Sequence, residues 1–193
     1  MTATPILVVG GAGYIGSHTC LALSERGYLP VVYDNFTSGH PEFVKWGPAE
    51  QGDIRDKTRL REVLAKYQPK AAMHFAGLIE VGQSFKEPEH FYDVNVSGTL
   101  SLLQCLSEAD IRNFVFSSTC ATYGAPEYLP LDEKHGQKPI NPYGRTKHIV
   151  EQALGDLNLC GRMRSVMLRY FNAAGADFEG RIGEWHSPET HAI

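Results

Sequence analysis

Short apolar runs alternate with longer stretches of helical spacing along the chain. The runs ILVV (6–9), PVVY (30–33), AAMHF (71–75), NFVFSS (113–118) and SVMLRYF (165–171) predict buried strands, and a shorter strand is expected near residues 50–52. Between them, residues 14–26, 57–67, 91–109 and 143–157 carry apolar positions at helical intervals, and Gly27 follows the first of these where a helix C-cap is expected. Continuously apolar strands, each followed by a helix, predict an α/β chain: a doubly wound parallel sheet covered on both faces, with right-handed crossovers. Residues 126–142, PEYLPLDEKHGQKPINP, are rich in proline and predict a long functional loop.

The first strand runs straight into GGAGYIG. Gly11, Gly13 and Gly16 satisfy G-x-G-x-x-G, while Gly10, Gly13 and Gly16 satisfy G-x-x-G-x-x-G. Glycines between a strand and a helix permit a tight turn, bring main-chain N–H groups up to a pyrophosphate and let the helix pack close to the strand. A turn that merely needs positive φ angles would also use them. The discriminating context is an acid ending the next strand, roughly 20 residues on, and Asp34 in VVYDN stands there. Its carboxylate suits a ribose diol and repels a 2′-phosphate, so NAD is expected rather than NADP. A second acid, Asp53 in QGDIRD, follows the short third strand. It reads either as a helix cap or, with Ile54, as the border of an adenine site.

Composition narrows the partners. The 193 residues hold 18 Lys+Arg against 22 Asp+Glu, and the basic residues are scattered, which argues against nucleic acid. Cys20, Cys105, Cys120 and Cys160 form no C-x-x-C pair, so neither a metal site nor a disulfide framework is expected. The first residues lack a signal-peptide pattern and no apolar run reaches the roughly 20 residues that span a bilayer. A cytoplasmic protein with no membrane partner is expected.

The sharper chemistry lies in NPYGRTKHIVEQAL, where Tyr143 and Lys147 are spaced i, i+4 on one helix face. A free tyrosine, with a pKa of about 10, is a poor base at neutral pH. A lysine cation and a bound nicotinamide would both favour its phenolate and lower that pKa. Such pairs also occur on ordinary helices, with the tyrosine packed and the lysine solvated. Upstream, FVFSSTCATYG ends a strand in Ser117, Ser118 and Thr119, at the sheet edge where ligands bind in this architecture, and a hydroxyl there would meet a substrate oxygen.

Taken in order, GGAGYIGSH, YDNFTSG, GDIRD, HFAGL, VNVSGTL, FSSTCATYG, NPYGRTK and LRYFNAAGA resemble the UDP-glucose 4-epimerase (UDP-galactose 4-epimerase) branch of the extended short-chain dehydrogenase/reductase family. The resemblance implies a Rossmann-type domain with NAD held at the phosphates by Tyr14 and Ile15. Asp34, Asn35, Phe36, Thr37, Ser38 and Gly39 would surround the adenosine ribose, and Asp53 and Ile54 the adenine. Phe75, Ala76, Gly77, Leu78, Asn95, Tyr143, Lys147 and Phe171 would continue the site toward the nicotinamide. It further implies Tyr143 as acid/base, Lys147 as its electrostatic partner, Thr119 and Asn172 as contacts to a UDP-sugar substrate, and a homodimer built through the helices at 91–109 and 143–157. Both helices are expected to carry more apolar surface than one sheet face needs.

The chain departs from its relatives in AGLIEVGQS, where Ile79 replaces a common lysine and Glu80 follows, and in Thr119, where serine is common. Residues 1–177 are expected to form the NAD-binding domain, and 178–193 to begin a C-terminal substrate region that is cut short. Two other functions remain open. A 4,6-dehydratase would need an Asp-Glu pair after the hydroxyl residue, where this chain has Cys120 and Ala121. A cofactor-binding module without turnover would follow from a missing substrate region.

Overall fold

The computed structural model describes residues 3–185. Six parallel strands, β1 (Thr4–Val9), β2 (Tyr28–Asp34), β3 (Ala49–Gln51), β4 (Ala71–His74), β5 (Asn113–Ser117) and β6 (Arg164–Leu168), form one sheet in the order β3-β2-β1-β4-β5-β6. The order reverses between β1 and β4, and it is outside the carboxyl ends of such strands that an open α/β sheet leaves a crevice. The doubly wound expectation is met.

Three helices cover one face: α2 (Lys57–Tyr67), α5 (Thr99–Glu108) and α6 (Pro142–Leu159). Leu60, Leu64, Leu102, Leu106, Val150 and Leu154 from these helices pack on Leu7, Val9, Val31, Tyr33, Phe114 and Phe116 of the strands. The alternate strand residues Val8 and Val32 face α1 (Tyr14–Glu25) through Cys20. Gly27, with φ +78° and its N–H on Ser24 O at 2.9 Å, ends α1 as expected.

Three expectations need correction. The strand expected to reach Phe171 stops at Leu168 and is an edge strand, with Val166 56% and Leu168 38% exposed. Covering on both faces is therefore incomplete at β6, because α1 sits over β1 and β2 only. The single helix expected over 91–109 is a composite: α3 (Val81–Lys86) and α4 (Pro88–Phe91) precede it, and a π-helical stretch, Tyr92–Gly98, joins α4 to α5. Proline at the first turn opens α4, which the apolar spacing alone did not locate. Finally, α5 and α6 direct most of their apolar side chains to the sheet; Leu100 and Leu159 are the large exposed ones.

Past β6 the chain crosses back over the sheet edge. Ile182, 4% exposed, packs with Leu21 and Phe43, Lys45 donates to Arg181 O at 2.6 Å, and Trp185 stacks on His40 at 4.0 Å. Within the stretch expected to open a substrate region, Arg181, Ile182 and Trp185 thus contact the α1 side while Phe178 is exposed; 186–193 fall outside the described residues. No helix among the described residues is long and apolar enough to cross a membrane.

Candidate active site

The glycine turn lies where β1 meets α1. Gly10 adopts φ +78°, and a Cβ there would stand 2.4 Å from the Ala76 nitrogen. A Cβ on Gly16 would stand 2.1 Å from Gly10 O, so the start of α1 rests directly on the turn. Gly11 is also closely packed, a Cβ there standing 2.9 Å from Val32 Cγ2 and 3.0 Å from Val8 O. Gly13 is different: it is the N-cap of α1 in extended conformation, makes no side-chain cap, and its Cβ would meet only Gly10 O at an ordinary 3.5 Å. Protein packing does not demand a glycine at 13. The bare helix N-terminus, with Tyr14, Ile15 and Gly16 in its first turn, has the donor chemistry of an anion seat.

Asp34 ends β2 and is 8% exposed. Its Oδ2 accepts the Ala12 N–H at 3.0 Å and its Oδ1 the Phe36 N–H at 2.9 Å, which fastens the glycine turn to the loop after β2. Phe36 takes φ +59°, Asn35 Oδ1 receives the N–H of Thr37 at 3.1 Å, and Gly39 abuts the Asp34 carboxylate, while Ser38 is exposed. Asp53 lies one strand further out. Arg55 grips both its oxygens, at 2.8 and 2.7 Å, Asn35 Nδ2 donates at 3.3 Å, and the Arg55 contact chiefly holds its carboxyl down at about 2. It is not the cap of α2; Asp56 is, through Arg59 N–H at 3.0 Å. Ile54 is buried against Gly98 of the π-helical stretch.

Beyond the switch point, Phe75, Ala76, Gly77 and Leu78 leave β4 as a half-buried loop. Asn95, 3% exposed on the π-helical stretch, clamps that loop: Leu78 N–H donates to Oδ1 at 2.8 Å, and Nδ2 donates to Leu78 O at 2.9 Å and Thr146 Oγ1 at 3.2 Å. π-helical turns recur where a side chain must be re-aimed at a functional position. His74 supports the same stretch through Thr99 Oγ1 at 2.9 Å, and complete burial pushes its imidazole down to about 3.

Asn141 caps α6 through the Gly144 N–H at 2.7 Å and sends Tyr143 and Lys147 inward. Lys147 is 3% exposed; its Nζ donates to Ser117 O at 3.1 Å, lies 5.0 Å from the Phe116 ring centroid, and would be 3.5 Å from a Cβ on Gly77. Burial pulls the ammonium down to about 8. Tyr143 moves the opposite way, pushed up by burial to about 12, with the neighbouring Thr119 hydroxyl acting to lower it. In the chain without cofactor, burial is thus the dominant influence on this phenol.

Sequence alone could not rank the three hydroxyls after β5. Ser117 pairs with Tyr170 OH and Ser118 donates to Glu151, while Thr119 Oγ1 accepts the Ala121 N–H at 3.1 Å and is the one of the three not tied to a distant side chain. Phe171 and Asn172 lie on exposed chain past β6. Glu151 was missed; an acid at i+4 from Lys147, on the apolar face of VEQAL, was the available signal. Among the described residues no three His, Cys, Asp or Glu side chains are arranged to hold a metal ion.

A glycine turn at the switch point of a parallel sheet puts the protein in the Rossmann class of α/β folds. Within that class the chain belongs to the NAD dependent epimerase/dehydratase family, whose profile matches residues 6–186. It is 69% identical over 193 residues to a UDP-glucose 4-epimerase of Rhizobium leguminosarum bv. trifolii, covering 100% of this chain and 59% of that protein. The human UDP-glucose 4-epimerase is 44% identical, with 94% of this chain and 57% of that one covered. Among solved structures, the Brucella ovis UDP-glucose 4-epimerase in complex with NAD superposes with TM-score 0.96 at 52% identity, over 98% of this chain and 58% of that one. The Bifidobacterium longum enzyme in complex with NAD+ and UDP gives 0.90 at 36%, over 94% of this chain and 57% of the other. The chain thus spans somewhat more than half the length of these relatives.

Proposed function

We propose that this chain is the cofactor-binding and proton-transfer part of a NAD-dependent UDP-hexose 4-epimerase. The observation that carries the reading is the buried Lys147, one turn after Tyr143 on α6, donating to Ser117 O at 3.1 Å, in a sheet whose glycine turn has a middle glycine with no packing reason to be one. The residues fit NAD. The open helix N-terminus would take the pyrophosphate, Asp34 the adenosine ribose, and the Asn95-clamped loop at Gly77 and Leu78 the nicotinamide end beside Lys147. When bound, NAD supplies a hydride acceptor and donor for sugar C4 and a positive ring charge that favours the Tyr143 phenolate.

Tyr143 would receive the proton of the sugar 4-OH and later return one to the 4-keto oxygen, the stereocentre inverting because the keto sugar presents the opposite face of C4 to the cofactor. Thr119 would hydrogen-bond the sugar oxygen and position it. Lys147, with its ammonium pulled to about 8, is cationic at neutral pH and holds charge beside the phenolate. Asn172 would meet the UDP-sugar. Cys120 and Ala121 supply no acid/base group for water loss, which disfavours a dehydratase. A cofactor domain at 1–177, with 178–193 leading toward a substrate region, and a homodimer through α5 and α6 belong to the same reading. It is tested by incubating the chain with NAD and UDP-galactose and following UDP-glucose by chromatography. Interconversion supports it; tight NAD binding with no interconversion would favour the idle-module reading instead.

A further inference from the structure

Glu151 is 5% exposed, on the same face of α6 as Tyr143 and Lys147, eight and four residues earlier. Its carboxylate collects donors from three separate segments. Ser118 Oγ donates to Oε1; Arg169 donates through Nε at 3.0 Å to each oxygen and through Nη2 to Oε2 at 2.6 Å; and Gln137 Nε2 donates to Oε2 at 2.8 Å. Ser118 immediately precedes Thr119. Arg169 lies three residues before Asn172. Gln137 belongs to the long proline-rich loop.

A buried ion pair is weak evidence of stability, because its desolvation offsets much of its attraction, and an apolar pair often replaces it at no loss. What an apolar pair cannot do is fix three segments at set distances from one point. The carboxylate also decides which hydroxyl is left over: with Ser118 committed to Glu151 and Ser117 to Tyr170, Thr119 is the one of the three not tied to a distant side chain. The Cys120 N–H on Tyr170 O, at 3.1 Å, carries the constraint from Arg169's neighbour to the turn just after Thr119.

We propose that Glu151 is a positioning residue: it sets Thr119 and the strand end leading to Asn172 in register with Tyr143. The proposal rests on the epimerase reading for its purpose but not for its geometry. The test uses the chain labelled at tyrosine 13Cζ, with the Tyr143 signal assigned by its loss in Tyr143→Phe. Thr119→Val marks where that signal goes when the neighbouring hydroxyl is absent. Glu151→Gln and Ser118→Ala are expected to move the Tyr143 signal toward the Thr119→Val position while leaving NAD affinity unchanged. A purely stabilising Glu151 would lower the melting temperature and leave the signal in place. Should Glu151→Gln fail to fold, Ser118→Ala decides alone, since it keeps the Glu151–Arg169 pair. An unmoved signal in the folded variants overturns the proposal. Failure of the parent chain to bind NAD would instead strike the epimerase reading, with the Tyr143 signal still judging the positioning.

Discussion

The carboxylate of Asp34 accepts the main-chain N–H of Ala12 at 3.0 Å, so the acid that ends β2 and the glycine turn that ends β1 form one unit. A ribose diol placed between them would meet a fixed acceptor, and a 2′-phosphate would meet a fixed negative charge. The parent chain is expected to bind NAD more tightly than NADP. Loss of hydrogen bonds to a charged acceptor in Asp34→Ala, about 1.5–3 kcal/mol, should weaken NAD binding roughly 10–100-fold and narrow the preference. Titration calorimetry with both cofactors reads this directly, and equal parent affinities would refute it.

Two glycines in the turn should behave differently. Gly16→Ala drives a Cβ to within 2.1 Å of Gly10 O, and overpacking of this kind costs about 1–3 kcal/mol or more. A lowered melting temperature is expected. Gly13→Ala meets nothing closer than 3.5 Å, so the parent melting temperature should survive while NAD affinity falls, because the methyl group would occupy the approach of the pyrophosphate. Unchanged affinity in Gly13→Ala would remove the phosphate seat from the account.

Much of this was legible from the pattern of residues. The glycine spacing, Asp34 at the next strand end and the Tyr143–Lys147 interval each follow from local geometry, so sequence reaches them. What it did not reach depends on burial and on distant partners. The resemblance pointed to Thr119, but that its two neighbours are taken by Glu151 and Tyr170, far along the chain, is not legible in FSSTC. The burial that raises the Tyr143 pKa in the chain without cofactor leaves no mark in the sequence. The π-helical stretch leaves no periodic trace in VNVSG, since its reason is the clamp from Asn95 to Leu78. The return of Ile182 onto Leu21 is a long-range contact that the polar run around it conceals.

Glu50 supplies a pH test of the other sheet edge. It is 6% exposed and bound by Lys66 at 2.7 Å, Tyr67 at 2.6 Å and Arg59, and these contacts, Lys66 first, hold its carboxyl at about 2 against an ordinary 4.5. A lowered carboxylate pKa contributes stability above the unfolded value and loses it as pH falls toward the folded one. The melting temperature of the parent should therefore exceed that of Glu50→Gln by a constant margin above about pH 5. The margin should shrink between pH 4.5 and about 2. A margin independent of pH would contradict the assignment.

Thr119 is the group that draws the Tyr143 phenol down, so Thr119→Val should raise that pKa further. The acidic limb of the rate profile, which follows formation of the phenolate, is then expected at higher pH. Lys147→Met should shift it in the same direction, since the phenolate would lose a nearby cation. Profiles that superpose on the parent would show that neither group acts on Tyr143.

The most direct measurement is the rate of UDP-glucose and UDP-galactose interconversion by the NAD-loaded chain, compared with its Tyr143→Phe variant at equal cofactor occupancy. Removal of a general acid/base typically costs about 10²–10⁴-fold in turnover, and a loss of that size with unchanged melting temperature is the expected result. A tyrosine that merely packs would lose one hydrogen bond, about 0.5–1.5 kcal/mol of stability, and leave turnover nearly intact. Interconversion at the parent rate by Tyr143→Phe would contradict the account.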